Sequence, residues 1–179
     1  FVAEPGFITR KGEKQLLAVG GASIQPKKYG IAEIGTFNHV GMGTNYDNKI
    51  ISDGFETSTD IRLENKLVIN AGYERFTEIE EKEFLNQVKH IGIGYNTQEW
   101  TSTDFSFSQG MNYGRKMKRF SARTNLKPTE SFSVGINIDN LRLGETVNWI
   151  NTLRLNYQFT SDLSLRVFGQ MSRGKLTVN

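Results

Sequence analysis

The chain has no cysteine, only three prolines and only two histidines in 179 residues. Without thiols there is no disulfide, no zinc–thiolate site and no cysteine nucleophile. Long apolar runs are also missing: none approaches the ~18 residues that a spanning helix needs. A β-barrel needs no such run, because only alternate residues of each strand meet lipid. The hydrophobic content of 37% therefore excludes membrane helices but not membrane strands. Charge of one sign is scarce as well. The net charge is +3 and the basic residues are spread out, which is not the footprint of a nucleic-acid binder. No signal peptide opens the chain, which begins FVAEPGFITR. The expectation is a leader already removed, or a piece of something longer.

What the sequence has is alternation. From Glu145 to Met171 it reads ETVNWINTLRLNYQFTSDLSLRVFGQM. Val147, Trp149, Leu153, Leu155, Tyr157 and Phe159 share one parity. Asn148, Thr152, Arg154, Asn156 and Gln158 share the other, with Ile150 the exception. Period two is a strand with one apolar and one polar face. Thr160-Ser161-Asp162 supplies turn chemistry. Leu163, Leu165, Val167 and Met171 then alternate with Ser164, Arg166 and Gln170. Soluble strands usually run about five or six residues and transmembrane strands about nine to eleven, so this hairpin points to a membrane barrel.

The same pattern recurs along the chain. Residues 1–12 read as a linker or loop and residues 13–179 as one barrel segment. Strands are expected over 15–25, 31–42, 55–63, 67–74, 85–95, 100–113, 120–126 and 132–138, before the hairpin above. That gives roughly ten strands in an antiparallel meander, and no convincing helix. The connectors alternate in kind. Pro26–Gly30, Asn65-Lys66, Asn96–Glu99, Lys127–Glu130 and Thr160–Asp162 read as tight turns. Gly41–Asn48, the acidic Phe76–Phe84, the basic Gly114–Arg119 and Asn140–Glu145 read as longer connectors. Outer-membrane barrels have short periplasmic turns and longer outer loops. With the tight turns in the periplasm, the first strand runs down and the last runs up. Barrels usually keep both ends in the periplasm, so the expectation is a fragment of a barrel of at least about twelve strands, even counts being the rule. Its edges would pair with further strands of the same protein or of a partner chain.

Three stretches carry a family resemblance: GFITR near residue 6, GYERFTEIEEKEF at 72–84, and LRLNYQFTSDLSLRVFGQ at 153–170. They resemble the C-terminal barrel domain of a bacterial family of unknown function, common in Bacteroidota. That domain usually follows a carbohydrate-binding family 9-like module. The resemblance covers about residues 5–179. It implies a bacterial outer-membrane location and a glycan-related or envelope role. The sugar-binding module is absent from this sequence, so glycan binding attaches to no residue here.

The parities define two candidate sets. The lipid-facing set is Leu67, Ile69, Tyr73, Ile91, Ile93, Tyr95, Val134, Ile136, Trp149, Leu153, Leu155, Tyr157, Leu165 and Val167. The lumen-facing set is Glu56, Asp60, Arg62, Glu74, Arg123, Asp139, Arg154 and Arg166. The latter would line a passage or fill a closed lumen with ion pairs. Tyr73, Tyr95, Trp149, Tyr157 and Phe159 are candidates for interfacial aromatic girdles. Other motifs are weaker. Gly169–Leu176 nearly spells a phosphate-binding loop, but Leu176 replaces the final hydroxyl residue and no strand-to-helix context surrounds it. His39 and His90 sit in separate strands. Glu78, Glu80, Glu81 and Glu83 lack the ordered spacing of a calcium loop. No catalytic, metal-binding or cofactor-binding residue is picked out. Three readings remain open: an outer-membrane barrel segment acting as scaffold or passage, a soluble all-β binding module with Leu153, Leu155 and Tyr157 in its core, and a barrel-borne hydrolase.

Overall fold

A computed structural model describes residues 14–79 and 82–174. The linker 1–12 and the tail after Gly174 lie outside the described residues. Ten strands make one antiparallel sheet: β1 (Lys14–Ile24), β2 (Ile31–Thr44), β3 (Ile50–Leu63), β4 (Leu67–Ile79), β5 (Glu83–Tyr95), β6 (Ser102–Asn112), β7 (Arg115–Thr129), β8 (Phe132–Leu143), β9 (Thr146–Gln158) and β10 (Ser164–Gly174). Each strand pairs only with its chain neighbours, in the order β1 to β10. The sheet is not closed: among the described residues, β1 pairs only with β2, and β10 only with β9. The strands run 11 to 15 residues, at or above the about nine to eleven of a transmembrane strand.

The connectors differ from the expected pattern. The segments read as long and charged are mostly strand. Phe76–Ile79 completes β4 and Glu83-Phe84 opens β5, while Glu80 and Glu81 lie outside the described residues. Arg115–Arg119 is the start of β7, and Asn140–Leu143 is the end of β8. What remains between β6 and β7 is Tyr113-Gly114, with φ of 47° and 71°. Positive φ at both central residues is the tight hairpin turn that suits twisted strands. Gly144-Glu145 joins β8 to β9. The other end of the sheet carries residues 25–30, 64–66, 96–101, 130–131 and 159–163 between its strands, and the Tyr113-Gly114 end also carries 45–49. Short and longer connectors therefore occur at both ends, and the expected length contrast is not there. The inferred orientation, and the missing strands argued from it, lose their support. Charge misled the reading: Arg115, Lys116, Lys118 and Arg119 alternate across both faces of one strand, which the sequence presents as a single basic run.

The two faces differ in kind. Through directly opposed residues, one line crosses all ten strands as Ile24, Ile34, Ile61, Ile69, Ile93, Phe105, Ala122, Ile138, Asn151 and Met171. Nine of those ten are apolar, and all lie on one face. The opposite face holds nearly all the strand glycines, among them Gly41, Gly54, Gly72, Gly92, Gly94 and Gly110. Side chains fold into the room they leave. A methyl built on Gly72 would meet the His90 ring, and one on Gly92 would lie 2.5 Å from the Asn70 side-chain oxygen. The sheet curls toward this face. On β5, Asn86 and Val88 point that way and are 0% and 6% exposed, while Ile91 and Ile93 on the other face are 56% and 46% exposed. Val88 is the one buried hydrophobic residue among those described. The accessible surface is 13889 Å², against about 8,800 Å² for a compact monomer of this mass.

Candidate functional site

The polar face is where chemistry collects, and strand register decides which groups meet there. Cross-strand neighbours sit ~4.5–5.5 Å apart between Cβ atoms. His39, Glu56 and Glu74 stand side by side on β2, β3 and β4. The His39 Nδ1 lies 3.8 Å from a Glu56 carboxylate oxygen. With Phe76 and Glu78 they line a groove of about 580 Å³. Six residues along the same two strands, Arg62 donates to the Glu33 carboxylate at 2.9 Å. Across the sheet, Arg119 donates from Nε and Nη2 to one Asp139 oxygen, at 2.9 and 2.6 Å. Arg119 reaches diagonally to do so, since its direct partner is Leu141. The Arg154 guanidinium lies over the Phe168 ring, 5.9 Å from its centroid.

Register puts all eight candidate lumen-facing residues on this one face and all fourteen candidate lipid-facing residues on the other. The eight are not a mesh of ion pairs. Among the described residues, Arg62 pairs with Glu33 and Asp139 with Arg119, and Glu56 lies 3.8 Å from the His39 ring, an ion pair only when that ring carries a proton. Asp60, Glu74, Arg123, Arg154 and Arg166 form no ion pair there. The reason is segregation. On this face, Glu33, Glu56, Asp60, Glu74 and Glu78 lie on β2 to β4, with Arg62 the one strong base. Arg115, Arg119, Arg123, Arg154 and Arg166 lie on β7 to β10, against Asp104 on β6 and Asp139 on β8. One half of the polar face is acidic and the other basic.

Sequence reading missed Glu33, Arg119 and Asn86. Glu33 lies in a strand of unassigned register, and Arg119 in a segment read as a connector. Asn86 has no exposed surface, and its carbonyl oxygen accepts from the Tyr113 backbone N–H at 2.6 Å, tying the β6–β7 turn to β5. Nothing in the local alternation marks it out, because the partner is 27 residues away.

The weaker motifs resolve as follows. Gly169 to Gly174 lies inside β10, while Lys175 and Leu176 of the phosphate-loop match lie outside the described residues. Glu78 and Glu83 point to opposite faces of the β4–β5 pair, so they cannot share a calcium ion. Among the described residues no group of three or more His, Cys, Asp or Glu side chains is placed to hold a metal. Ser108 stands opposite His90 across β5–β6, with Glu74 diagonal to His90. No hydrogen bond joins the three. Outside the strands, Lys66 donates to Glu99 at 2.8 Å, linking two connectors at one end of the sheet. That bond holds Lys66 above its ordinary value and, with help from Asn96, Glu99 below its own.

Comparison with known proteins adds no relative: no family model, no curated protein and no solved structure matches the chain.

Proposed function

We propose that this chain is wall of a bacterial outer-membrane β-barrel, a non-enzymatic scaffold or passage in the envelope. The observation that carries the reading is the apolar row across ten strands, left largely exposed, with Val88 the one buried hydrophobic side chain among the described residues. A soluble module would cover Leu153 and Tyr157, which are 42% and 43% exposed. Lipid is the covering that suits such a face, and strands of this length reach across a bilayer. The polar face then lines the interior. Its acidic and basic halves suit a passage with a field across it better than a lumen filled by ion pairs. In hydrocarbon an unpaired strand edge leaves backbone groups unsatisfied, at several kcal/mol each. The edges of β1 and β10 are therefore joined in the membrane, to each other or to further strands of this protein or a partner chain. The resemblance in its three sequence stretches supports an envelope or glycan-related setting, through a module that this sequence does not contain.

Cell fractionation tests the reading. The chain is expected in the outer-membrane fraction, extracted only with detergent. Recovery as a monodisperse monomer without detergent would refute it and favour a soluble β-module.

A further inference from the structure

We propose that the apolar face carries a binding site for the phosphate of an anionic glycerophospholipid. The inference rests on the barrel reading above. On that face, Lys89, Gln109, Lys118 and Arg142 are direct neighbours across β5 to β8. Arg75 and Lys116 lie in the next register row, on β4 and β7. Tyr73, Lys89, Lys116 and Lys118 line one shallow groove of about 380 Å³. All five basic residues are exposed. Among the described residues none of the five forms an ion pair, and the only carboxylates on this face of the strands are Asp53 and Glu83.

Position supplies the second argument. Lys89, Lys118 and Arg142 each lie four residues along their strand from the apolar row, at Ile93, Ala122 and Ile138. Four residues span ~13 Å. The apolar band of an outer-membrane barrel is ~25 Å tall, so half of it is about that distance. A basic group there meets the headgroup layer and not hydrocarbon. Ammonium and guanidinium groups in a groove match a phosphate diester, and Gln109 and Tyr73 add neutral donors. The connectors choose the leaflet. The cluster stands at the end bearing Tyr113-Gly114, Gly144-Glu145 and the longer 45–49, whereas three of the five connectors at the other end run five or six residues, and short turns belong to the periplasmic side of such barrels. The lipids of that leaflet are glycerophospholipids.

The test uses the full chain in detergent micelles doped with phosphatidylglycerol, phosphatidylcholine or lipopolysaccharide, with retained lipid counted by native mass spectrometry. Phosphatidylglycerol should be retained in preference to the other two. A basic group near an anionic lipid surface is worth about fivefold, so K89Q/K116Q/K118Q should lose about a hundredfold in that retention. K89R/K116R/K118R should keep it, and K27Q/K28Q/K127Q, with the same change in net charge, should be unaffected. Equal retention of phosphatidylglycerol and phosphatidylcholine, or no loss in the Gln variant, overturns the site. Preference for lipopolysaccharide overturns the glycerophospholipid assignment. A chain that is monodisperse without detergent removes the barrel reading itself, whereas one that needs detergent yet retains all lipids alike removes only this site.

Discussion

Placing arginine at Leu153 tests which face meets lipid. Leu153 stands between Ile136 on β8 and Gly169 on β10. Along β9 it is four residues from Trp149 and four from Tyr157, so it is central between two aromatics that the barrel reading puts at the interfaces. Arginine at the bilayer midplane on the lipid face of a barrel costs ~2–4 kcal/mol, a shift of roughly thirtyfold to a thousandfold in the folding equilibrium. The neighbouring Thr152 faces the other way, between Asn137 and Gln170. Arginine there finds the Asn137 side-chain oxygen, which is buried without a partner. Its like-charge neighbour is Arg154, so the net cost is under about 1 kcal/mol. The assay is urea unfolding in phosphatidylcholine vesicles, followed by tryptophan emission. If the face met water, Leu153→Arg would be an exposed surface change within about 0.5 kcal/mol. Equal small shifts at 153 and 152 would refute the lipid-facing row.

Three other outcomes are expected. In planar bilayers, Arg123→Glu, Arg154→Glu and Arg166→Glu together should move the reversal potential toward cation selectivity, because they make the basic half of the polar face acidic; an unchanged potential would mean that this face does not line the ion path. Gly110→Ala should cost at least ~1–3 kcal/mol, because a methyl there runs into the Gln87 carbonyl and comes within 2.8 Å of the Val88 Cα. Gly35→Ala has nothing within 4 Å and should be nearly neutral, so similar urea midpoints for the two would contradict the close β5–β6 approach. The Lys66–Glu99 link should have a pH window. The part due to Glu99 is complete above its ordinary 4.5 and fades as pH falls through its lowered folded value. The part due to Lys66 is complete below its ordinary 10.5 and fades as pH rises through its raised folded value. Amide shifts at Asn96, whose N–H donates to the Lys66 carbonyl, should differ between parent and Glu99→Gln only inside that window.

Strand existence was legible wherever one face is apolar. Leu153, Leu155 and Tyr157 alternate with Arg154 and Asn156, and the register follows them. Strand ends were not legible where charge occupies both faces. Arg115 to Arg119 looks like loop because Arg115 and Arg119 belong to the polar face and Lys116 and Lys118 to the apolar one. β3 begins at Ile50, well before the clean alternation at Phe55, for a similar reason: Ser52, Asp53 and Gly54 give no hydrophobic period. The tight turn at Tyr113-Gly114 hides because tyrosine is not a usual residue at positive φ. Parity separated the candidate residues onto two opposite faces, but their pairings were not legible. The separation of acid from base on the polar face is a property of strand order, and it emerges only once Glu56 and Arg154 are known to lie six strands apart.

Strict neighbour-to-neighbour order has a consequence for how the sheet is made. Each strand docks on the one synthesised just before it, so none of the pairings among the described strands waits for a distant part of the chain, and loop-closure entropy stays small at each of those steps. The cost falls elsewhere. A half-assembled sheet ends in a row of free backbone donors and acceptors beside an apolar face, which is also a template for a second copy of the same chain. Growth and aggregation compete for that edge from the first hairpin onward. If the chain is barrel wall as proposed, insertion into lipid must keep pace with strand addition, or something must shield the edge until it does.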